Sequence, residues 1–235
     1  MRAGRGAAIK ALTLDLDDTL WPVSPAIERA EAELHVWLGR HASATAQRFD
    51  SRALRELREA VAVERPEWAH DFTRMRHESL ARALRLAGDD PALADPAFDV
   101  FFAARNRVEL FDDAMPALEA LSRRWPIVAL TNGNADLRGI GLASYFTATV
   151  SAREFGVGKP DARIFHEACR RLSAQPHEVL HIGDDWALDV VGAHRAGLRS
   201  AWVRRGSDAT VPIDGTVRVD CVARDLGELV AWLDA

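Results

Sequence analysis

Residues 11–19, Ala11-Leu12-Thr13-Leu14-Asp15-Leu16-Asp17-Asp18-Thr19, drive a short apolar run straight into a cluster of acids. The same pattern returns twice. Ile127–Leu130 runs into Thr131-Asn132-Gly133-Asn134, and Val179–Ile182 runs into Gly183-Asp184-Asp185. Short apolar runs closed by turn residues suit buried strands. In an open parallel sheet, ligands sit beyond the carboxyl ends of the strands. If the three runs are neighbouring strands, their polar tips meet in one place. That place would hold several carboxylates, the Thr131 hydroxyl and, from a loop between strands, Lys159.

The segments around these runs alternate. Helical patterns at Pro116–Arg124, Ala162–Leu172, Ala187–Ala196 and Leu226–Leu233 separate strand patterns at Thr147–Ser151, Ser200–Val203 and Val217–Val222. Alternating strands and helices predict an α/β fold, a Rossmann-like parallel sheet with helices on both faces. Gly206–Gly215 reads as a surface loop. Between the first two runs the periodicity is helical only. Ile27, Leu34 and Leu38 form one stripe after Ser24-Pro25. Leu54, Leu57 and Val61 form a second, and Phe72, Met75, Leu80, Ala83 and Leu84 a third, with a fourth helix over Ala97–Arg107. Four helices exceed what a crossover connection needs. The expected organisation is therefore a core of residues 1–21 and 108–235 with a helical insertion over 22–107.

Composition narrows the partners. The chain has 235 residues, of which 48% are hydrophobic, enough for a buried core. A net charge of -5 argues against nucleic acid, whose phosphate backbone selects excess Lys and Arg. It leaves room for a small phosphorylated metabolite, because one metal ion and one lysine set the local field. Lys10 and Lys159 are the only lysines in an arginine-rich chain, so Lys159, in Gly156-Val157-Gly158-Lys159-Pro160, is a sharp signal. Cys169 and Cys221 belong to no CxxC pair, and Cys169 reads as a small buried hydrophobe. No apolar stretch reaches the roughly 18–20 residues of a membrane span, and Asp15 and Asp17 interrupt any N-terminal signal pattern. No membrane partner and a cytoplasmic setting are expected.

The residues suit phosphate monoester hydrolysis. Asp15, at the end of a buried strand, can attack phosphorus and form an aspartyl phosphate. Asp17, two residues on, can protonate the leaving oxygen and later take a proton from water. Two carboxylates this close to a phosphate require a hard cation, and Mg2+ takes oxygen ligands. Asp15, a backbone carbonyl near Asp17, and Asp184 would supply three. Thr131 and the backbone N–H groups of Asn132 and Gly133 can bind phosphoryl oxygens, and Lys159 adds a point charge. Each element has a plainer reading: Asp184 or Asp185 as a helix cap, Thr131-Asn132-Gly133 as a turn, Lys159 as a loop lysine. Their joint order at strand ends is what argues for a site.

That order resembles the haloacid-dehalogenase-like superfamily of aspartate-nucleophile hydrolases. Four motifs occur in sequence: Asp15-Leu16-Asp17-Asp18-Thr19, Thr131-Asn132, Lys159-Pro160, and Gly183-Asp184-Asp185 with Asp189. The resemblance implies a modified Rossmann core with the first motif on the central strand, and a helical cap over the active site. It implies Asp15 as nucleophile, Asp17 as general acid and base, Thr131, Asn132 and Lys159 as phosphate ligands, and Asp184 as a Mg2+ ligand. Asp189, or else Asp185, would orient Lys159 or the metal site. Leu14–Trp21, Trp125–Ala135, Leu180–Asp185 and, within the insertion, His70–Arg76 further resemble bacterial flavin-pathway phosphatases. These act on the ribityl-aminouracil phosphate intermediate of riboflavin synthesis and on flavin mononucleotide. Arg74 and Arg76 are then candidate substrate contacts, and Trp21 either lines the cavity or packs in the core. A phosphomutase shares the four motifs. A 2-haloacid dehalogenase would need neither Asp17 nor a metal. A regulatory phosphate-binding relative is the non-enzyme alternative. His181 is expected to be packed or hydrogen-bonded in its strand, and the other arginines to be solvated or in i,i+4 pairs such as Arg55 with Glu59.

Overall fold

The computed structural model describes residues 9–206 and 216–235. Six parallel strands, β1 (Ala11–Leu14), β2 (Ile127–Thr131), β3 (Ala148–Ser151), β4 (Val179–Gly183), β5 (Arg199–Val203) and β6 (Cys221–Ala223), form one sheet in the order β3-β2-β1-β4-β5-β6. Every residue of β1, β2 and β4 is buried, as parallel strands covered on both faces require. β1 lies between β2 and β4, with Leu14 opposite Ala129 on one side and Ile182 on the other. The three polar tips therefore emerge side by side. This is the α/β Rossmann-like fold expected from the alternation.

The helices are α1 (Val23–His41), α2 (Ser43–Arg48), α3 (Ser51–Glu64), α4 (Phe72–Ala87), α5 (Ala94–Arg105), α6 (Ala114–Ser122), α7 (Leu137–Ile140), α8 (Ala152–Phe155), α9 (Ala162–Leu172), α10 (Gly192–Arg195) and α11 (Leu226–Asp234). Their ends follow local chemistry. The Asp71 carboxylate accepts from Arg74 N–H to open α4, and Gly88 closes it at φ 84°, a left-handed conformation that favours glycine. Asp161 caps α9 by accepting from Arg163 N–H. On one side of the sheet, Val128, Leu130, Val150, Ile164, Phe165 and Cys169 pack as one core. Cys169 and Cys221 are both buried and unbridged, and burial pushes each thiol up to about 11.

The chain divides into two compact units. One contains 1–22, 110–133 and 141–235, and the other 23–109 and 134–140. The helical unit has its own core, with Ala30, Leu34 and Leu38 of α1 packed with Leu80, Leu84, Phe98 and Phe101 of α4 and α5. Residues 134–140, read from the sequence as core, group with these helices instead. Asn134 Nδ2 donates to Thr73 Oγ1, Arg105 Nε donates to Asn134 Oδ1, and Asp136 N–H donates to Asn106 Oδ1.

Two boundaries differ from expectation. The helix expected over Ala187–Ala196 is a wide π-helical turn, Trp186–Val191, followed by α10. The strand expected from Val217 begins only at Cys221. Before it, Asp220 is turned to Arg199 Nε and Ser200 N–H, so that stretch ties down the start of β5. Residues 207–215 of the expected loop lie outside the described residues. No helix among the described residues is long and apolar enough to cross a membrane.

Candidate active site

Asp15 follows β1 directly, and its N–H donates to Ile182 O of β4 at 2.9 Å, which carries the acid past the sheet edge. The chain then curls back. Leu20 N–H donates to Leu16 O, Asp18 N–H donates to Trp21 O, and Asp18 sits at φ 59°. Trp21 is fully buried and its indole N–H donates to Asp17 Oδ1 at 2.8 Å. Trp21 is thus a packed residue that holds Asp17, not a cavity wall.

Lys159 reaches between two strands. Its Nζ donates to Asp15 Oδ1 at 2.5 Å and to Asp189 Oδ1 at 2.6 Å. Asn132 fixes the lysine backbone: Asn132 Oδ1 accepts from Lys159 N–H at 2.7 Å and Nδ2 donates to Lys159 O at 2.9 Å. A Cβ at Gly158 would lie 2.6 Å from Asn132 Oδ1, so this clamp requires glycine there. The Asn132 side chain therefore fixes the Lys159 backbone from both sides. Gly133 N–H turns to Thr131 Oγ1 at 2.9 Å.

Asp189 comes from the π-helical turn. Its oxygens accept from Lys159, from His181 Nε2 at 3.0 Å and from Asp185 N–H at 3.0 Å. A Cβ at Gly183 would fall 2.3 Å from the Asp189 carboxylate, so only glycine admits it. Asp185 is exposed and caps the turn by accepting from Ala187 and Leu188 N–H. Asp189, rather than Asp185, touches Lys159. Thr19, which the sequence reading did not single out, donates to Asp184 Oδ1 at 3.0 Å and lies 3.4 Å from Asp15 Oδ2. Trp202 Nε1 donates to Asp184 O at 2.7 Å. A cavity of about 590 Å³ opens beside Asp18 and Asp184, walled by Phe111, Trp202, Arg204 and Arg205.

The charges are unbalanced. Asp15, Asp184 and Asp189 each place an oxygen within 4.8 Å of the others. Burial pushes Asp15 well up; Lys159 opposes that, while Asp189 adds to it. Burial and then the Asp189 charge push Asp184 up to about 7. Burial also works against both Lys159 and Asp189 in their charged forms. Asp15 and then Asp189 outweigh it for the ammonium and hold it above its ordinary range, while Lys159 and then His181 hold the Asp189 carboxyl well below its own. One ammonium thus faces three carboxylates. A divalent cation fits that excess. Asp189 already accepts three hydrogen bonds, whereas Thr19 has one hydroxyl hydrogen for Asp15 and Asp184 together. Asp15 and Asp184 are the pair with oxygens left to coordinate it.

The family description "haloacid dehalogenase-like hydrolase" matches residues 9–197. The chain belongs to the haloacid dehalogenase-like hydrolases. It is 37% identical over 200 residues to the 5-amino-6-(5-phospho-D-ribitylamino)uracil phosphatase YigB of Escherichia coli K12, covering 83% of this chain and 84% of that protein. It is 34% identical to a phosphoserine phosphatase of Thermus thermophilus, covering 84% and 90%. A solved structure described as a 2-haloacid dehalogenase from Pseudomonas syringae matches with a TM-score of 0.88 at 36% identity, over 97% of this chain and 100% of that one. The chain is therefore a hydrolase of this family with phosphatase relatives.

In the helical unit of this hydrolase one pairing departs from expectation. Arg55 pairs with Glu31 at 2.7 Å and not with Glu59 as its i,i+4 partner. Arg74 is exposed and stacks 4.1 Å from the Trp68 ring. Arg76 is largely buried, 3.6 Å over Phe101 and 4.0 Å from Glu31.

Proposed function

We propose that this hydrolase is a Mg2+-dependent phosphomonoesterase that turns over a small phosphorylated metabolite through an aspartyl phosphate on Asp15. The observation supporting this reading is the convergence of Asp15, Asp184 and Lys159 beyond the central strands, with more negative charge than one lysine balances. Asp15, Asp184 and the Asp17 carbonyl would hold Mg2+, which supplies neutralising charge to the phosphoryl oxygens. Lys159 and the Thr131 hydroxyl add donors to the same group.

An Asp15 carboxylate oxygen bonds to phosphorus as the bond to the leaving oxygen breaks. Asp17, oriented by Trp21, gives that oxygen its proton. Asp17 then takes a proton from the attacking water, phosphate departs and Asp15 is regenerated. The cavity beside Asp184 gives the leaving group room. Substrate choice is assigned to the helical unit, with Arg76 as its foremost cation and Arg74 second. The flavin precursor that YigB is named for, and flavin mononucleotide, lead the candidate substrates. A cytoplasmic setting belongs to the same reading, as do two thiols that form no disulfide.

The dehalogenase reading draws on the Pseudomonas structure's description. Halide displacement from carbon needs no acid for the leaving group and no metal. Asp17 and Asp184 therefore favour phosphoryl chemistry.

The deciding experiment measures phosphate release from an aryl phosphate, halide release from 2-chloropropionate, and isomerisation of sugar phosphates. Phosphate release with Mg2+, lost in Asp15→Asn, supports the proposal. Acid quench should trap phosphate on Asp15, detectable by mass spectrometry. Halide release alone, phosphoryl migration without hydrolysis, or phosphate binding without turnover would each replace it with the corresponding alternative. A panel of phosphorylated metabolites including the flavin precursors then names the substrate. Unchanged kcat/KM in Arg74→Ala and Arg76→Ala across that panel would remove both arginines from recognition.

A further inference from the structure

Behind the carboxylates runs a line of side chains that the chemistry above does not use. Thr13 of β1 and His181 of β4 are register partners, and both are fully buried. Thr13 Oγ1 lies 2.8 Å from His181 Nδ1. His181 Nε2 lies 3.0 Å from Asp189 Oδ1, the oxygen that also accepts from Lys159. Lys159 in turn holds Asp15.

The hydrogens in this line have one consistent direction. An ammonium only donates, and an ionised carboxylate only accepts. Asp189 must therefore receive from both Lys159 and His181. That places the imidazole hydrogen on Nε2 and leaves Nδ1 to accept the Thr13 hydroxyl hydrogen. Burial keeps the ring neutral. Phe165 meets it edge-on, with ring centres 5.1 Å apart at 88°, and fixes its plane.

Such a device has a purpose. Lysine is a point charge on a flexible four-carbon stem, with donors that rotate freely. Its aim on Asp15 depends on what stands behind it. Asp189 has one oxygen held by Asp185 N–H, and the other needs a second fixed donor.

We propose that Thr13 and His181 are positioning residues that lock one imidazole tautomer against Asp189 and so aim the Lys159 ammonium at Asp15. The proposal rests on Asp15 being the nucleophile. Neither residue touches substrate. Their effect falls on the chemical step and not on binding, because misplacement of a reacting group costs rate steeply.

The test uses aryl phosphate kinetics and imidazole 15N NMR on the full chain. His181→Phe keeps an aromatic ring and removes both nitrogens. Its kcat should fall about ten- to hundredfold, with KM within about twofold. His181→Gln restores a donor towards Asp189 and should recover most of kcat. Thr13→Val, a milder change if His181→Phe does not fold, should lower kcat a few-fold, with the Asp189 carboxylate still keeping the hydrogen on Nε2. The wild-type spectrum should show the hydrogen on Nε2.

A hydrogen on Nδ1 overturns the proposal. So does wild-type kcat in a folded His181→Phe or in Thr13→Val. Equal losses in the Phe and Gln variants, tracking their melting temperatures, would mean packing alone and also overturn it. A wild-type protein without phosphate release would break the nucleophile reading, while the tautomer would still decide the pair.

Discussion

Both units bury charge, and they do so differently. In the sheet unit Lys159, Asp189 and His181 meet at 2.6 and 3.0 Å, each hydrogen-bonded to the next. In the helical unit Glu31 and Arg76 stand 4.0 Å apart, and Glu31 Oε1 accepts no hydrogen bond among the described residues. Burial and the neighbouring Arg58 charge pull Arg76 down to about 9. A buried ion pair yields net benefit only with good geometry and satisfied donors. The sheet unit meets that condition, as a site that must fix reacting atoms should. The helical unit does not, and its arginine retains donors for something else.

The sharpest challenge to this contrast is Lys159→Met. It strands Asp15 and Asp189 without their cation and should cost about 3–5 kcal/mol in urea unfolding, with turnover lost. A loss below about 1 kcal/mol would erase the distinction between the units. Next in size is metal binding. Mg2+ at a hundred times its Kd should stabilise the wild type by about 2.7 kcal/mol, read as a rise in Tm. Asp184→Asn should abolish that rise, and Arg76→Met should leave it intact.

Arg76→Met alone should then change stability by no more than about 1 kcal/mol, in either direction, because it removes a poorly paired buried charge. The smallest effect concerns Asp113. Both its oxygens accept from Arg205 at 2.8 Å, and Leu226 N–H donates to it at 2.7 Å. Partial burial would raise its carboxyl, but these bonds win and hold it below the usual range. A depressed acid stabilises above its unfolded value and loses that contribution as pH falls through its folded one. Asp113→Asn should flatten the acid limb of the stability profile by under about 1 kcal/mol, discounted for solvent exposure.

The sequence was most informative where chemistry sits at the end of an element. Asp15, Thr131 and Asp184 each end or follow an apolar run, and the alternation of strands and helices predicts the parallel sheet that carries them. Lys159 stood out because lysine is rare here. Contacts that depend on register were not legible. Thr13 and His181 are 168 positions apart and meet only once β1 and β4 align. The Asn132 clamp needs the 158–159 backbone brought alongside β2, and the π-helical turn at 186–191 has the same hydrophobic spacing as an ordinary helix. The short run 134–140 joined the helices through side-chain bonds to Thr73, Arg105 and Asn106, which no local pattern announces.

The two cysteines leave a practical opening. Buried thiols held near 11 are poor nucleophiles at neutral pH. The molecule should therefore be almost silent to maleimide dyes. One new cysteine at exposed Val63 of the helical unit and another at exposed Val222 of the sheet unit would accept a fluorophore pair against little background. Energy transfer between them would follow, in real time, whether the two units change their separation during turnover.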